Sequence, residues 1–288
     1  MAGIKELRQR IHSVGSIKQI TRAMEMVATT KLRRFQDRAT SSRPYAEEIT
    51  GLVGRLAAML GDGVEERPLF RAGAGEKTLA LVVTSDRGLC GPYNSYLLRE
   101  IEAWRAEHPR PVEYLVYGRK GIAYMNKRDF EVKAYLEEPP LEQMDYRSAA
   151  VVARILVKEF LSGDYSDVML MTTRFVSMAK FVPEISPFLP ISGEAFGGGD
   201  GAGSDIILEP DAETIFDELL PRYLETRVFN ALLESLASEY ASRRFAMKNA
   251  TDAATDMQAE LRGVYNRKRQ ESITKELLDI VGGAEAVK

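Results

Sequence analysis

Apolar residues recur at intervals of three and four along both ends of this 288-residue chain, whereas in the middle they come in short continuous runs separated by polar turns. Over residues 3–43 the apolar positions are Ile4, Leu7, Ile11, Val14, Ile17, Ile20, Met24 and Val27, then Leu32 and Phe35. That is the narrow stripe of a helix. Consecutive steps of three from Ile11 to Ile20 shorten the local period below 3.5, the mark of a stammer that overwinds a coiled coil. Pro44 interrupts the run, and a second helical stretch covers 45–60, so a helix kinked or ended at Pro44 is expected over 1–60. At the other end, 211–281 contain one glycine, Gly263, and one proline, Pro221. Such a composition suits a single very long helix. Its stripe of Met247, Ala250, Ala254, Met257, Leu261 and Val264 steps by 3, 4, 3, 4 and 3, a heptad seam. After Pro221 alone it would run roughly 90 Å at about 1.5 Å per residue. A rod of that length needs a partner, and the amino-terminal rod is the matching one.

Between the rods the period changes. After a polar linker at 61–77, residues 78–85 form a continuous β-branched run, as a buried parallel strand does. A turn rich in glycine, Asp86 to Pro92, leads to a helix over 93–108. The alternation continues with strand 112–117, helix 119–128, strand 130–136, helix 145–161 and strand 167–173, which predicts a mostly parallel sheet covered by helices. Pro183, Pro187 and Pro190 limit the following stretch to edge strand or loop. Residues 197–204 read as a flexible loop between 185–191 and a short strand at 205–208. Pro210 suits the first turn of the long helix, with Asp211 and Glu213 near its positive end. The expected fold class is therefore α/β with long terminal helices, an antiparallel two-helix coiled coil plus an inserted Rossmann-like α/β domain. The expected divisions are 1–60, 61–77, 78–209 and 210–288.

Composition changes this picture little: 45% apolar and 28% charged residues describe an ordinary globular chain. No run of eighteen apolar residues occurs, and the opening residues lack the apolar core of a signal peptide, so a cytosolic chain is expected. Charge is more informative. The net −3 hides a basic first rod, +7 over residues 1–43, and a remainder of −10. A second basic cluster, Arg262, Arg267, Lys268 and Arg269, lies in the last helix. Blocks of one sign point to an acidic partner, whether nucleic acid, anionic lipid or acidic protein loops.

Candidate chemistry is sparse. The Gly88/Gly91 turn after the first strand has neither a G-x-G-x-x-G pattern nor the Lys-Ser/Thr ending of a P-loop, so it reads as a tight strand-to-helix turn. One cysteine, Cys90, and two distant histidines, His12 and His108, give no metal spacing. No triad or carboxylate pair emerges, and no cofactor, metal or catalytic residue is expected. Two function classes remain, a mechanical coiled-coil scaffold and a nucleic-acid-binding arm. The single tryptophan, Trp104, lies in the insertion rather than among the basic residues, which counts against the arm.

Three separated motifs carry a resemblance. The stretch Ile20-Thr21-Arg22-Ala23-Met24-Glu25-Met26-Val27-Ala28, the turn Thr84-Ser85-Asp86-Arg87-Gly88-Leu89-Cys90-Gly91 with Asn94, and Ala246-Met247-Lys248-Asn249-Ala250-Thr251-Asp252-Ala253 with Arg269-Gln270 and Glu276 closely resemble the gamma subunits of F-type ATP synthases. The resemblance covers essentially the whole chain. It implies a non-catalytic rotor shaft inside a ring of three alpha and three beta subunits, with the α/β insertion at the foot beside the epsilon subunit and the ring of c subunits. Catalysis would reside on beta, and neither nucleic acid nor a small-molecule substrate would bind. The resemblance also implies contacts with beta at Met24, Arg243 and Gln270, supported by Thr274 and Glu276. The chain departs from the family pattern at Arg244-Phe245, larger than the pair expected there. Without a transit peptide or a cysteine-bearing insertion, a bacterial form peripheral to the cytoplasmic face of the inner membrane is expected.

Overall fold

The computed structural model describes residues 3–192, 196 and 209–286. By contacts the chain divides into two compact units, Met1–Thr29 with Arg243–Lys288, and Thr30–Ser242. Two helices carry most of the first: α1, Ile4–Leu60, and α5, Ala212–Ala286. Pro44 and Pro221 lie inside these helices without ending them. Both prolines are exposed, so the carbonyl that each leaves without an N–H partner can face water. Asp211 rather than Pro210 sets the start of α5: its carboxylate accepts the Thr214 amide at 2.8 Å and the Thr214 hydroxyl at 2.9 Å.

The larger unit holds a five-stranded sheet in the order β3-β2-β1-β4-β5. Its strands are β1, Lys77–Val83; β2, Val112–Tyr117; β3, Glu131–Leu136; β4, Tyr165–Ser177; and β5, Lys180–Leu189. The first four pair in parallel and β5 is antiparallel to β4. Helices α2, Tyr93–Glu107, α3, Arg119–Met125, and α4, Tyr146–Leu161, connect successive parallel strands. The run 78–83 is buried throughout, because β1 sits in mid-sheet with helices on both sides. Ala80, Val82, Leu97, Ile101, Tyr114 and Val116 form one continuous core. Burying a large side chain of this kind contributes about 1.5–3 kcal/mol.

Two differences from the sequence expectation concern β4 and β5. β4 runs four residues past Thr173, and β5 begins at Lys180, because the two form a hairpin whose pairing outlasts the parallel region. Pro183 and Pro187 fit within β5 because it is an edge strand with one face of its backbone unpaired. The loop expected at 197–204 and the strand expected at 205–208 lie outside the described residues.

Charge stitches the start of the sheet. Glu113 and Glu131 face each other across β2 and β3, and Lys77 of β1 bonds to Glu113 and lies 3.6 Å from Glu131. The Tyr165 hydroxyl donates to Glu113 at 2.5 Å, and Lys133 lies 2.6 Å both from that hydroxyl and from Glu159 of α4. Burial would raise the Glu113 carboxyl, but the bonds from Lys77 and Tyr165 outweigh it and hold the group below its ordinary value. Burial likewise opposes the charged Lys133, yet Glu159 and Tyr165 hold it above the usual lysine range. A depressed carboxylate stabilises the fold above its unfolded pKa, and that contribution is lost as pH falls through the folded value. A raised lysine loses its contribution only as pH climbs through its folded value. Urea midpoints are therefore expected to hold steady near neutrality and to fall below about pH 4. Glu113→Gln should shrink that acid loss while lowering the midpoint at pH 7; an unchanged acid limb would contradict the assignment.

Candidate functional site

The smaller unit pairs residues 4–29 of α1 with residues 243–286 of α5, running antiparallel. Arg8 donates to the Tyr265 hydroxyl at 3.0 Å, and the Thr251 hydroxyl donates to Thr21 at 2.8 Å. At Gly15, a Cβ would come within 2.9 Å of Gln258 Nε2. The pairs 8 with 265 and 15 with 258 share one register, seven residues forward on α1 matched by seven back on α5, and the pair 21 with 251 lies within one residue of it.

That register corrects the expected seam. Leu7, Thr21 and Ala28 are buried and Ile11, Val14, Lys18 and Glu25 half-buried at alternating steps of four and three, with Gly15, Ser16 and Met24 half-buried beside them. Ile17, Ile20 and Val27 are 52%, 59% and 54% exposed. A polar seam residue such as Thr21 is tolerated because its hydroxyl finds Thr251 and the Lys18 carbonyl. On α5, Met247, Ala254 and Leu261 face inward as expected, while Gln258 and Tyr265 replace the exposed Met257 and Val264. Apolar side chains thus stand on the outside of the pair as well as within it.

The two outer faces differ in charge. On one, Arg8, His12, Lys18, Arg22 and Arg262 surround an open groove of about 620 Å³ that contains no carboxylate. Among the described residues, Lys18, Arg22 and Arg262 make no ion pair. Arg8 is the exception to this freedom, since its bond to Tyr265 raises its own pKa and lowers that of the Tyr265 hydroxyl. On the other face Arg10 is neutralised by Glu6 at 2.7 Å, and a shallower groove has Val14, Met257 and Leu261 in its wall. The sequence displayed these cations, but only the register brings Arg262 beside residues more than two hundred positions away.

The five residues expected to meet beta fall into two groups. Met24 is half-buried on α1, and Arg243 of α5 is only 7% exposed. Gln270, Thr274 and Glu276 are exposed, level with or beyond the start of α1, and Glu276 accepts from Ser272 at 3.5 Å. The structure therefore brings Gln270, Thr274 and Glu276 near one another and leaves Met24 and Arg243 apart from them.

The turn after β1 consumes its own polar groups. Asn94 accepts the Ser85 amide at 3.0 Å and donates to the Ser85 hydroxyl at 2.7 Å, and Ser85 donates to the Arg87 carbonyl at 2.9 Å. Leu89 and Gly91 adopt positive φ, of 60° and 57°, to close it. Cys90 is buried beneath the turn. Among the described residues no group of three or more His, Cys, Asp or Glu side chains could hold a metal, and no helix is long and apolar enough to cross a membrane.

A family model described as ATP synthase matches residues 3–287. The ATP synthase gamma chain of Dehalococcoides mccartyi strain CBDB1 is 39% identical over 290 residues, covering all of both chains. The chain belongs to the ATP synthase gamma family. Among solved structures, the central stalk and c-ring of the Tetrahymena thermophila mitochondrial ATP synthase contains a chain matched at TM-score 0.60 and 26% identity, over 80% of this chain and 99% of that one. A chain of the Euglena gracilis mitochondrial enzyme, at TM-score 0.66 and 21% identity, covers 99% and 94% and supports the fold.

Proposed function

We propose that the chain is the rotating shaft of a bacterial ATP synthase, turning inside a ring of three alpha and three beta subunits as protons pass through the c-ring. Epsilon and the c-ring would hold its sheet-bearing foot at the cytoplasmic face of the membrane. The observation that carries this reading is the full-length match to a gamma chain at 39% identity. A coiled coil is supported by the alternation of four and three in burial within the smaller unit. A Rossmann-like insertion is supported by the 3-2-1-4 order of the parallel strands. The shaft does no bond chemistry of its own. Its unequal faces offer different contact energies to three otherwise equivalent catalytic sites, and that difference biases which site is open.

Exposed Gln270, Thr274 and Glu276 suit direct polar contacts with beta, and Met24 suits a contact near the other end of the pair. The burial of Arg243 fits a residue that supports the neighbouring surface. Met24→Lys would add a cation beside Arg22. Fewer protons pumped per ATP hydrolysed are expected in inverted vesicles, with ATPase activity retained; unchanged pumping would remove Met24 from the contact surface. The reading as a whole is tested by co-expression with alpha and beta subunits. One copy of the chain should co-purify with each ring, whereas a chain that elutes alone and retains nucleic acid on filters at moderate salt would favour the alternative of a basic binding arm.

A further inference from the structure

Within the larger unit the 3-10 turn Leu141–Gln143, which follows β3, meets both long helices. Leu141 and Met144, at its two ends, are fully buried. Between them Glu142 points at the helices, where one carboxylate oxygen pairs with Lys31 of α1 and the other accepts the Tyr240 hydroxyl of α5 at 2.7 Å. Around this carboxylate the two helices also touch each other. Phe35 of α1 stacks on the Tyr240 ring, centroids 5.5 Å apart, and the Lys31 ammonium lies 5.6 Å from the centre of that ring. Arg38, one turn further along α1, donates to the Met144 carbonyl at 3.3 Å.

Other contacts between α5 and the sheet-bearing part come from α5 without α1. Ser235 and Ser238 bond to the backbone of Thr173 at 3.3 Å each, and Ser242 donates to the Cys90 carbonyl at 2.5 Å. Those are neutral bonds from short side chains, and Arg227 of the same helix adds a charged donor to the Pro187 and Phe188 carbonyls at 2.8 and 3.4 Å. Glu142 differs from these contacts in holding a donor from each helix on one ionised group. Bonds to an ionised acceptor are shorter and about twice as strong as neutral ones.

Resting on the shaft reading above, we propose that Glu142 is the positioning residue that fixes the angular setting of the helix pair on the sheet, so that torque applied to the sheet turns the helices without slip. Two donors on two helices resist rotation about either helix axis, which a bond to one helix cannot do. The carboxylate is about one-third exposed, and its pKa lies below the ordinary value because the bonds from Lys31 and Tyr240 outweigh the effect of burial, so the clamp stays charged through the neutral range.

The test uses the complete ATP synthase carrying Glu142→Gln or Glu142→Ala, compared with the same variants in rings released from the membrane. Released rings work against no load, so their ATPase rate is expected to match wild type. In membranes, the steady proton gradient reached by ATP-driven pumping should fall several-fold, because slip grows as the opposing force grows. Reversing the pair with Lys31→Glu and Glu142→Lys should restore much of that gradient, a recovery that loss of folding would not produce. Full wild-type gradients in both single variants would overturn the inference. Failure of the wild-type chain to support ATPase with alpha and beta would instead refute the shaft reading, which keeps the two failures distinct.

Discussion

Replacing Gly118 with alanine is expected to cost the larger unit more than about 4 kcal/mol, at the upper end of single-residue effects. Gly118 follows β2 with φ of 112°, a conformation that L side chains rarely adopt. A Cβ there would stand 2.1 Å from the backbone oxygen of Thr84 and 2.6 Å from its hydroxyl. Neither can retreat. The Thr84 amide is bonded to the Tyr117 carbonyl at 2.8 Å, and the Thr84 hydroxyl accepts the Gly121 amide at 2.8 Å. The ends of the two central strands are locked at this close approach, so alanine must break the lock or the turn. The thermal midpoint should fall by roughly 10 °C. Gly263→Ala is the contrasting substitution, because nothing lies within 4 Å of its Cβ and the site is in a helix. It is expected to stabilise by about 0.5–1 kcal/mol. Equal midpoints for the two variants would contradict the geometry.

The second large effect is electrostatic. Changing Arg8, Arg22 and Arg262 together to glutamine removes most of the charge around the cationic groove. If that face meets the acidic surface implied by the shaft reading, assembly with an alpha–beta ring should slow by tenfold or more at low ionic strength, the scale of electrostatic steering. Near 1 M salt the Debye length is about 3 Å and the difference should vanish. Arg10→Gln on the opposite face, already paired with Glu6, should change the rate little. A slowing that persists at high salt would indicate lost packing instead of lost steering.

Much of the architecture can be read from local pattern. The scarcity of glycine and proline marks α5, the unbroken β-branched run marks β1, and Asp145 followed by Ser148 marks the start of α4, where the carboxylate accepts the Ser148 amide at 2.8 Å. The face each rod buries is harder to read. Ile17, Ile20 and Val27 have the composition of a seam and lie outside it, because an apolar side chain can serve an outer partner as well as an inner one. Thr21 has the composition of a surface and is buried against Thr251, and Lys18 and Glu25 are half-buried beside it, since a long stem or a paired hydroxyl can occupy a narrow contact. The edge strand β5 was blurred by its prolines. The cationic groove and the Glu142 clamp were beyond local pattern altogether. Each depends on side chains from helices whose pairing register is set by the whole fold.

Rotation is the central claim, and it can be watched directly. A ring of alpha and beta subunits assembled with this chain, fixed to a surface and carrying a probe on the sheet-bearing unit, should turn the probe steadily in one direction while ATP is hydrolysed and stop when ATP is exhausted. ATP hydrolysis by the assembled ring with a stationary probe would contradict the account.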